Sequence, residues 1–145
     1  MKKILIMNGP NLNMLGIREP GVYGNMSLGD MNDFIRAEVE KKNYDVELEF
    51  FQSNHEGALI DKLHECYNRK NGIILNAGAY THYSYAIRDA ISSVGIPCVE
   101  VHLSDIHARE EFRHVSVVQE VCVAQICGKG VQGYMEALEI LMEAQ

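Results

Sequence analysis

The chain has 145 residues, of which 47% are apolar and 23% charged, the make-up of one ordinary globular domain. Its formal net charge of −7 at pH 7 repels phosphate backbones, so no nucleic-acid partner is expected. No apolar run reaches the about 18 residues that cross a bilayer, so no membrane partner is expected either.

The N-terminal MKKILIM places two lysines before an apolar run, as a signal peptide does. The run stops at Asn8 and no small-residue cleavage site follows, so Lys3 to Met7 reads as a first buried strand. Ser27 is a helix N-cap with Asp30 three residues on, and Met31, Phe34, Ile35 and Val39 then recur at helical spacing. Val46 to Phe51 alternates like a strand. Ala58 to Cys66 sets Leu59, Ile60 and Leu63 on one helical face. Gly72 to Leu75 is a short buried strand, and Ser84 to Ser93 is helical, with Ala86, Ile87, Ala90 and Ile91 apolar. Pro97 opens a strand over Cys98 to Val101. Residues 121 to 127 form the last strand, Gly128 and Gly130 end it, and Val131 to Ala144 is a final helix. Five strands alternating with helices predict an α/β fold: a flavodoxin-like, five-stranded parallel sheet in the order 2-1-3-4-5 with helices on both faces.

Ligands of such sheets bind beyond the carboxyl ends of the strands. The first strand runs into NGPNLN, the third into NAGAYTH and the fourth into HLSDIHAREEFR. One rim therefore collects Asn8, Asn11, Asn76, His82, His102, Ser104, Arg109 and Arg113. The loop GIREPGVYGN, residues 16 to 25, emerges at the same rim.

Several chemistries are excluded by what is missing. There is no GxxxxGK[ST], no GxGxxG after the first strand and no GxSxG. The six histidines have no HExxH or paired-ligand spacing, so no metal is expected. The four cysteines, Cys66, Cys98, Cys122 and Cys127, form no CxxC pair and read as thiols of a reducing, cytoplasmic compartment.

Arg18 and Tyr23 share the glycine-rich loop. A loop tyrosine is usually a packed surface residue, and a phenol with a pKa near ~10 is a poor base. A guanidinium about 4 Å away is worth up to ~4 kcal/mol at an effective dielectric near 20, which lowers a phenol's pKa by as much as about three units. Tyr23 would then serve as a general base, and Gly16, Gly21 and Gly24 would let the loop close over a substrate. His102 is either a satisfied core histidine or an acid. Glu100, two residues earlier, faces the same way along the strand and would set its tautomer. Arg109 and Arg113, four apart on one helical face, are either solvated or aimed at an anionic or polyhydroxylated ligand. Asp89 reads simply as a helix surface residue. On the residues alone, a binding module for a phosphate or sugar acid and a structural oligomer stay open beside an enzyme.

The runs NGPNLNMLGIREPGVYG, NAGAYTHYSYAIRDA, EVHLSDIHAREEFR and GKGVQGY, in this order and spacing, resemble the type II 3-dehydroquinate dehydratases across essentially the whole chain. The resemblance implies a single catalytic domain, 1–145, that converts 3-dehydroquinate to 3-dehydroshikimate by anti elimination of water through an enolate, without metal or organic cofactor. It implies that Tyr23 takes the proton beside the ketone and that Arg18 favours the phenolate. Asn11 would help hold a water at the enolate oxygen, and His102, oriented by Glu100, would protonate the departing hydroxyl. Asn76 and the backbone at Leu103 and Ser104 would take the substrate carboxylate. His82, Arg113 and Asp89 would meet its hydroxyls, Asp89 from a neighbouring subunit, and Arg109 falls at a lid position. Family members assemble as trimers that build a dodecamer, so a homo-oligomer is expected here. Tyr83, Tyr85 and Asp105 depart from the family pattern.

Overall fold

The computed structural model describes residues 1–17 and 25–144. Five strands, β1 (Lys2–Asn8), β2 (Val46–Gln52), β3 (Gly72–Asn76), β4 (Cys98–His102) and β5 (Ala124–Cys127), pair in parallel in the order β2-β1-β3-β4-β5. The connections carry α1 (Leu28–Lys41), α2 (Glu56–Glu65) and α3 (Tyr85–Val94), and α4 (Gln132–Glu143) follows the last strand. This is the predicted sheet order.

Alternation along β1 shows how the layers form. Ile4 and Ile6 pack with Met31 and Ile35 of α1 and with Leu138 and Leu141 of α4. Leu5 and Met7 pack on the other face with Leu59 and Leu63 of α2 and Ile87 and Ile91 of α3. A strand buried on both faces must be apolar at every position, which is why β1 and β3 are continuous apolar runs. α1 starts where the sequence places it: Ser27 Oγ accepts from the Asp30 amide at 3.0 Å, and Asp30 Oδ2 accepts from the Ser27 amide at 3.2 Å.

The last strand is shorter than the predicted 121–127. Gln119–Val121 is a 3-10 turn, in which the Val121 amide donates to Val118 at 3.1 Å. The turn also satisfies the Cys122 amide, which donates to Gln119 at 3.1 Å, so the first bond to β4 is Val123 N–H to the Cys98 carbonyl at 2.8 Å and the paired register runs from Ala124.

Register brings the carboxyl ends of the strands level. Asn8 is paired with Asn76 and Gln52, and His102 with Cys127. Just beyond, the Gly9 amide donates to the Asn76 carbonyl at 2.7 Å. A Cβ at Gly9 would lie 2.5 Å from the Ala77 carbonyl oxygen, so only glycine lets these two strand ends approach. Among the described residues, no helix is long and apolar enough to cross a membrane.

Candidate active site

A cavity of about 150 Å³ lies beyond the ends of β1, β3 and β4. Asn11, Asn76, His82, His102, Leu103, Ser104, Arg109 and Arg113 all line it, so eight of the sequence-derived candidates share one wall.

At its base, alternation on β4 puts Glu100 and His102 on one face, and Nε2 of His102 meets Glu100 Oε2. Glu100 is fully buried. Its Oε2 also accepts from Thr81 Oγ1 at 2.9 Å and Ser116 Oγ at 2.8 Å, and Oε1 accepts from Gln125 Nε2 at 3.2 Å. Burial pushes the carboxyl up. The imidazole's hydrogen bond and charge, with the Ser116 and Thr81 hydroxyls, outweigh it and hold Glu100 below the ordinary carboxylate range. Glu100 is therefore an anion in a dry site, and His102 Nε2–H donates to it. This leaves Nδ1 as the ring nitrogen for the cavity side.

His82, in the 3-10 turn Gly78–His82, donates Nδ1–H to the Val115 carbonyl at 2.7 Å. Burial pushes its pKa down against the upward pull of that bond. A neutral imidazole with Nδ1 protonated keeps Nε2 as an acceptor.

Asn76 is 4% exposed. Its Oδ1 accepts from the Gly78 amide at 3.1 Å, and its Nδ2 donates to the Tyr134 hydroxyl at 3.1 Å. Tyr134 in turn donates to Asn8 Oδ1 at 2.5 Å.

Past β4, the His102 and Leu103 carbonyls accept from the Gly128 and Gly130 amides at 3.3 and 3.2 Å. In a trans peptide the N–H points opposite to the C=O, so the Leu103 and Ser104 amides are directed away from β5. Both residues line the cavity.

Arg109 and Arg113 do not share a helical face. Ile106–Ala108 and Glu111–Arg113 are separate 3-10 turns, and Arg109 between them is extended. Asp105 Oδ1 caps the first turn from the His107 amide at 3.0 Å, which ends after three residues. The bend still carries both arginines to the cavity wall. Arg113 Nε donates to Glu110 Oε1 at 3.0 Å, and its guanidinium lies 4.7 Å from the centre of the Phe112 ring.

Asn11 takes a left-handed conformation with φ 71°, and its amide donates to Asn54 Oδ1 at 3.0 Å. Asp89 is exposed on α3 and is not part of this cavity wall. Arg18 and Tyr23, with Gly21 and Gly24, lie outside the described residues. Of the departures, Asp105 is occupied in its cap rather than in the cavity wall, and Tyr83 and Tyr85 are 59% and 65% exposed.

Sequence reasoning did not find Thr81, Ser116 or Gln125, which hold Glu100, or Tyr134, which holds Asn76. Only Thr81 lies in a rim motif, NAGAYTH, as a hydroxyl beside a candidate. Ser116 and Gln125 are 16 and 25 residues from Glu100, and no local spacing connects them. Among the described residues, no three His, Cys, Asp or Glu side chains are grouped to hold a metal ion.

The family model for Dehydroquinase class II matches residues 2–142. The chain is 59% identical over 143 residues to the 3-dehydroquinate dehydratase of Bacillus mycoides (strain KBAB4), covering 99% of this chain and 97% of that one. It is 56% identical over 144 residues to the 3-dehydroquinate dehydratase of Caldicellulosiruptor bescii, covering 99% and 98%. The crystal structure of the type II dehydroquinase from Butyrivibrio crossotus DSM 2876 superposes with a TM-score of 0.92 at 53% identity, over 97% of each chain. With a family match over nearly its full length, the chain belongs to the class II dehydroquinases.

Proposed function

We propose that this chain is a type II 3-dehydroquinate dehydratase, a lyase that removes water from 3-dehydroquinate to give 3-dehydroshikimate. The observation that carries the reading is the buried Glu100–His102 pair at the base of a cavity lined by Asn76, His82 and two arginines. A carboxylic, polyhydroxylated substrate needs cationic, amide and imidazole partners, and elimination of hydroxide needs a proton donor beneath it.

In this reading Tyr23, as phenolate beside Arg18, removes the proton next to the ketone. The C–H electron pair moves into an enolate, whose oxygen is supported by a water held by Asn11. The enolate collapses, the C–O bond to the leaving hydroxyl breaks, and a proton from His102 makes that hydroxyl water. Glu100 orients the imidazole. The substrate carboxylate lies on Asn76 Nδ2 and the Leu103 and Ser104 amides, its hydroxyls meet His82 and Arg113, and Arg109 closes from the lid position. The chemistry runs without metal or organic cofactor.

The chain acts as one catalytic domain, 1–145, in the cytoplasm, as a homo-oligomer of trimers that build a dodecamer. Asp89 supports the assembly: it is exposed on α3, is no part of its own chain's cavity wall, and would serve the hydroxyl subsite of a neighbour.

The test is a steady-state assay with 3-dehydroquinate, following the ultraviolet absorbance of the conjugated product in EDTA. Turnover should be present in the native chain and lost in Arg18→Ala and Tyr23→Phe while the fold is kept. A flat trace from folded native protein overturns the reading.

A further inference from the structure

Tyr134 takes no part in the proton transfers above, and its hydroxyl is buried directly behind Asn76. We infer that Tyr134, together with Asn8, is a positioning residue that locks the Asn76 amide with its Nδ2 end toward the substrate carboxylate. The inference rests on the reading that Asn76 binds that carboxylate.

A primary amide presents two ends of nearly equal shape. One donates and attracts a carboxylate; the other accepts and repels it. The neighbours decide which end faces the ligand. At one end the Gly78 amide can only donate, so the atom 3.1 Å from it is Oδ1. At the other end the Tyr134 oxygen lies 3.1 Å from Nδ2. Tyr134 has a single proton, and Asn8 Oδ1 accepts it at 2.5 Å. The phenol oxygen can then only accept from Asn76. The two constraints agree, and one proton order runs from Asn76 through Tyr134 to Asn8. The second Nδ2 proton remains for the cavity that Asn76 lines.

The lock is insulated from solvent and pH. Tyr134 is 0% exposed, Asn8 1% and Asn76 4%. Burial pushes the phenol far above its ordinary range, so it stays protonated wherever the enzyme works. The three groups arrive from β1, β3 and α4, so the contact also ties the last helix to the rim.

The experiment compares kcat and KM for 3-dehydroquinate in the native oligomer, Tyr134→Phe, Asn76→Ala and the double variant. Loss of ground-state binding that persists in the transition state raises KM and spares kcat, so Tyr134→Phe should raise KM roughly tenfold with kcat changed less than about twofold. Asn76→Ala should raise KM at least as much, and the double variant no further, because Tyr134 acts only through Asn76. Asn8→Leu, which removes the acceptor of the Tyr134 proton and frees the amide to turn, should show the same KM rise and the same non-additivity. It serves if Tyr134→Phe does not fold. KM unchanged in Tyr134→Phe while Asn76→Ala raises it, or two effects that multiply in the double variant, overturns the inference alone. KM unchanged in Asn76→Ala overturns the carboxylate reading of Asn76 and this inference with it.

Discussion

His102 aims Nε2 at the carboxylate of Glu100, two residues before it on the same face of β4, and three further donors hold that carboxylate in place. Replacing Glu100 by Gln keeps the shape but puts an amide NH2 among donors. We expect kcat to fall by about 10²-fold, the lower end of what a positioned proton donor contributes. The same variant tests linkage. The folded carboxyl lies below its ordinary 4.5, so its stabilisation is fully present above pH 4.5 and is lost as pH falls through the folded value. Urea midpoints measured downward from pH 5 should fall more steeply for the native chain than for Glu100→Gln. Parallel curves would contradict the assignment.

His82 titrates with the opposite charge but the same direction of loss. Its folded pKa is pushed below 6.5 by burial, so the neutral ring favours the fold above pH 6.5 and that contribution disappears as pH falls through the lower folded value. His82→Ala should flatten stability against pH below 6.5. It should also raise KM about fivefold, the worth of one neutral hydrogen bond near ~1 kcal/mol, with kcat nearly unchanged. A large fall in kcat at constant KM would assign the residue to the chemistry instead.

Arg113 presents a planar fork whose Nε is already engaged by Glu110 and whose face lies over Phe112. Lysine keeps the charge and loses both arrangements. Arg113→Lys should therefore raise KM about tenfold or more, since charge-assisted hydrogen bonds contribute about 1.5–3 kcal/mol. Isothermal titration with a carboxylated, polyhydroxylated ring acid checks this directly. Equal affinity for the two proteins would show that the site needs only a positive charge there.

Gly9→Ala probes the strand ends. The added Cβ would meet the Ala77 carbonyl oxygen at 2.5 Å, and backbone faces it on that side. We expect a loss of about 1–3 kcal/mol in urea unfolding, as overpacking costs. Gly57→Ala is the control. Nothing lies within 4 Å of a Cβ there, and alanine favours the helix, so stability should hold or rise.

Much of this molecule was determined by its sequence alone, because the relevant physics is local. Short apolar runs marked the strands and period-3.6 patterns the helices, and the parallel order followed from their alternation. Ser27 and Asp30 announced the start of α1 across three residues, and Glu100 and His102 announced a shared face across two. The rim asparagines, histidines and arginines were legible because parallel strands all end on the same edge. Arg18 and Tyr23 were read from their shared glycine-rich loop and remain outside the described residues. Tertiary structure decided what the partners are. The break between Ala108 and Glu111 replaced one expected helical face with two turns, yet still delivered Arg109 and Arg113 to one cavity. Thr81, Ser116 and Gln125 reach Glu100 from three different segments. Tyr134 reaches Asn8 across 126 residues of chain. Such contacts have no sequence period. They exist only once the sheet has closed and buried polar groups must find each other or stay unsatisfied.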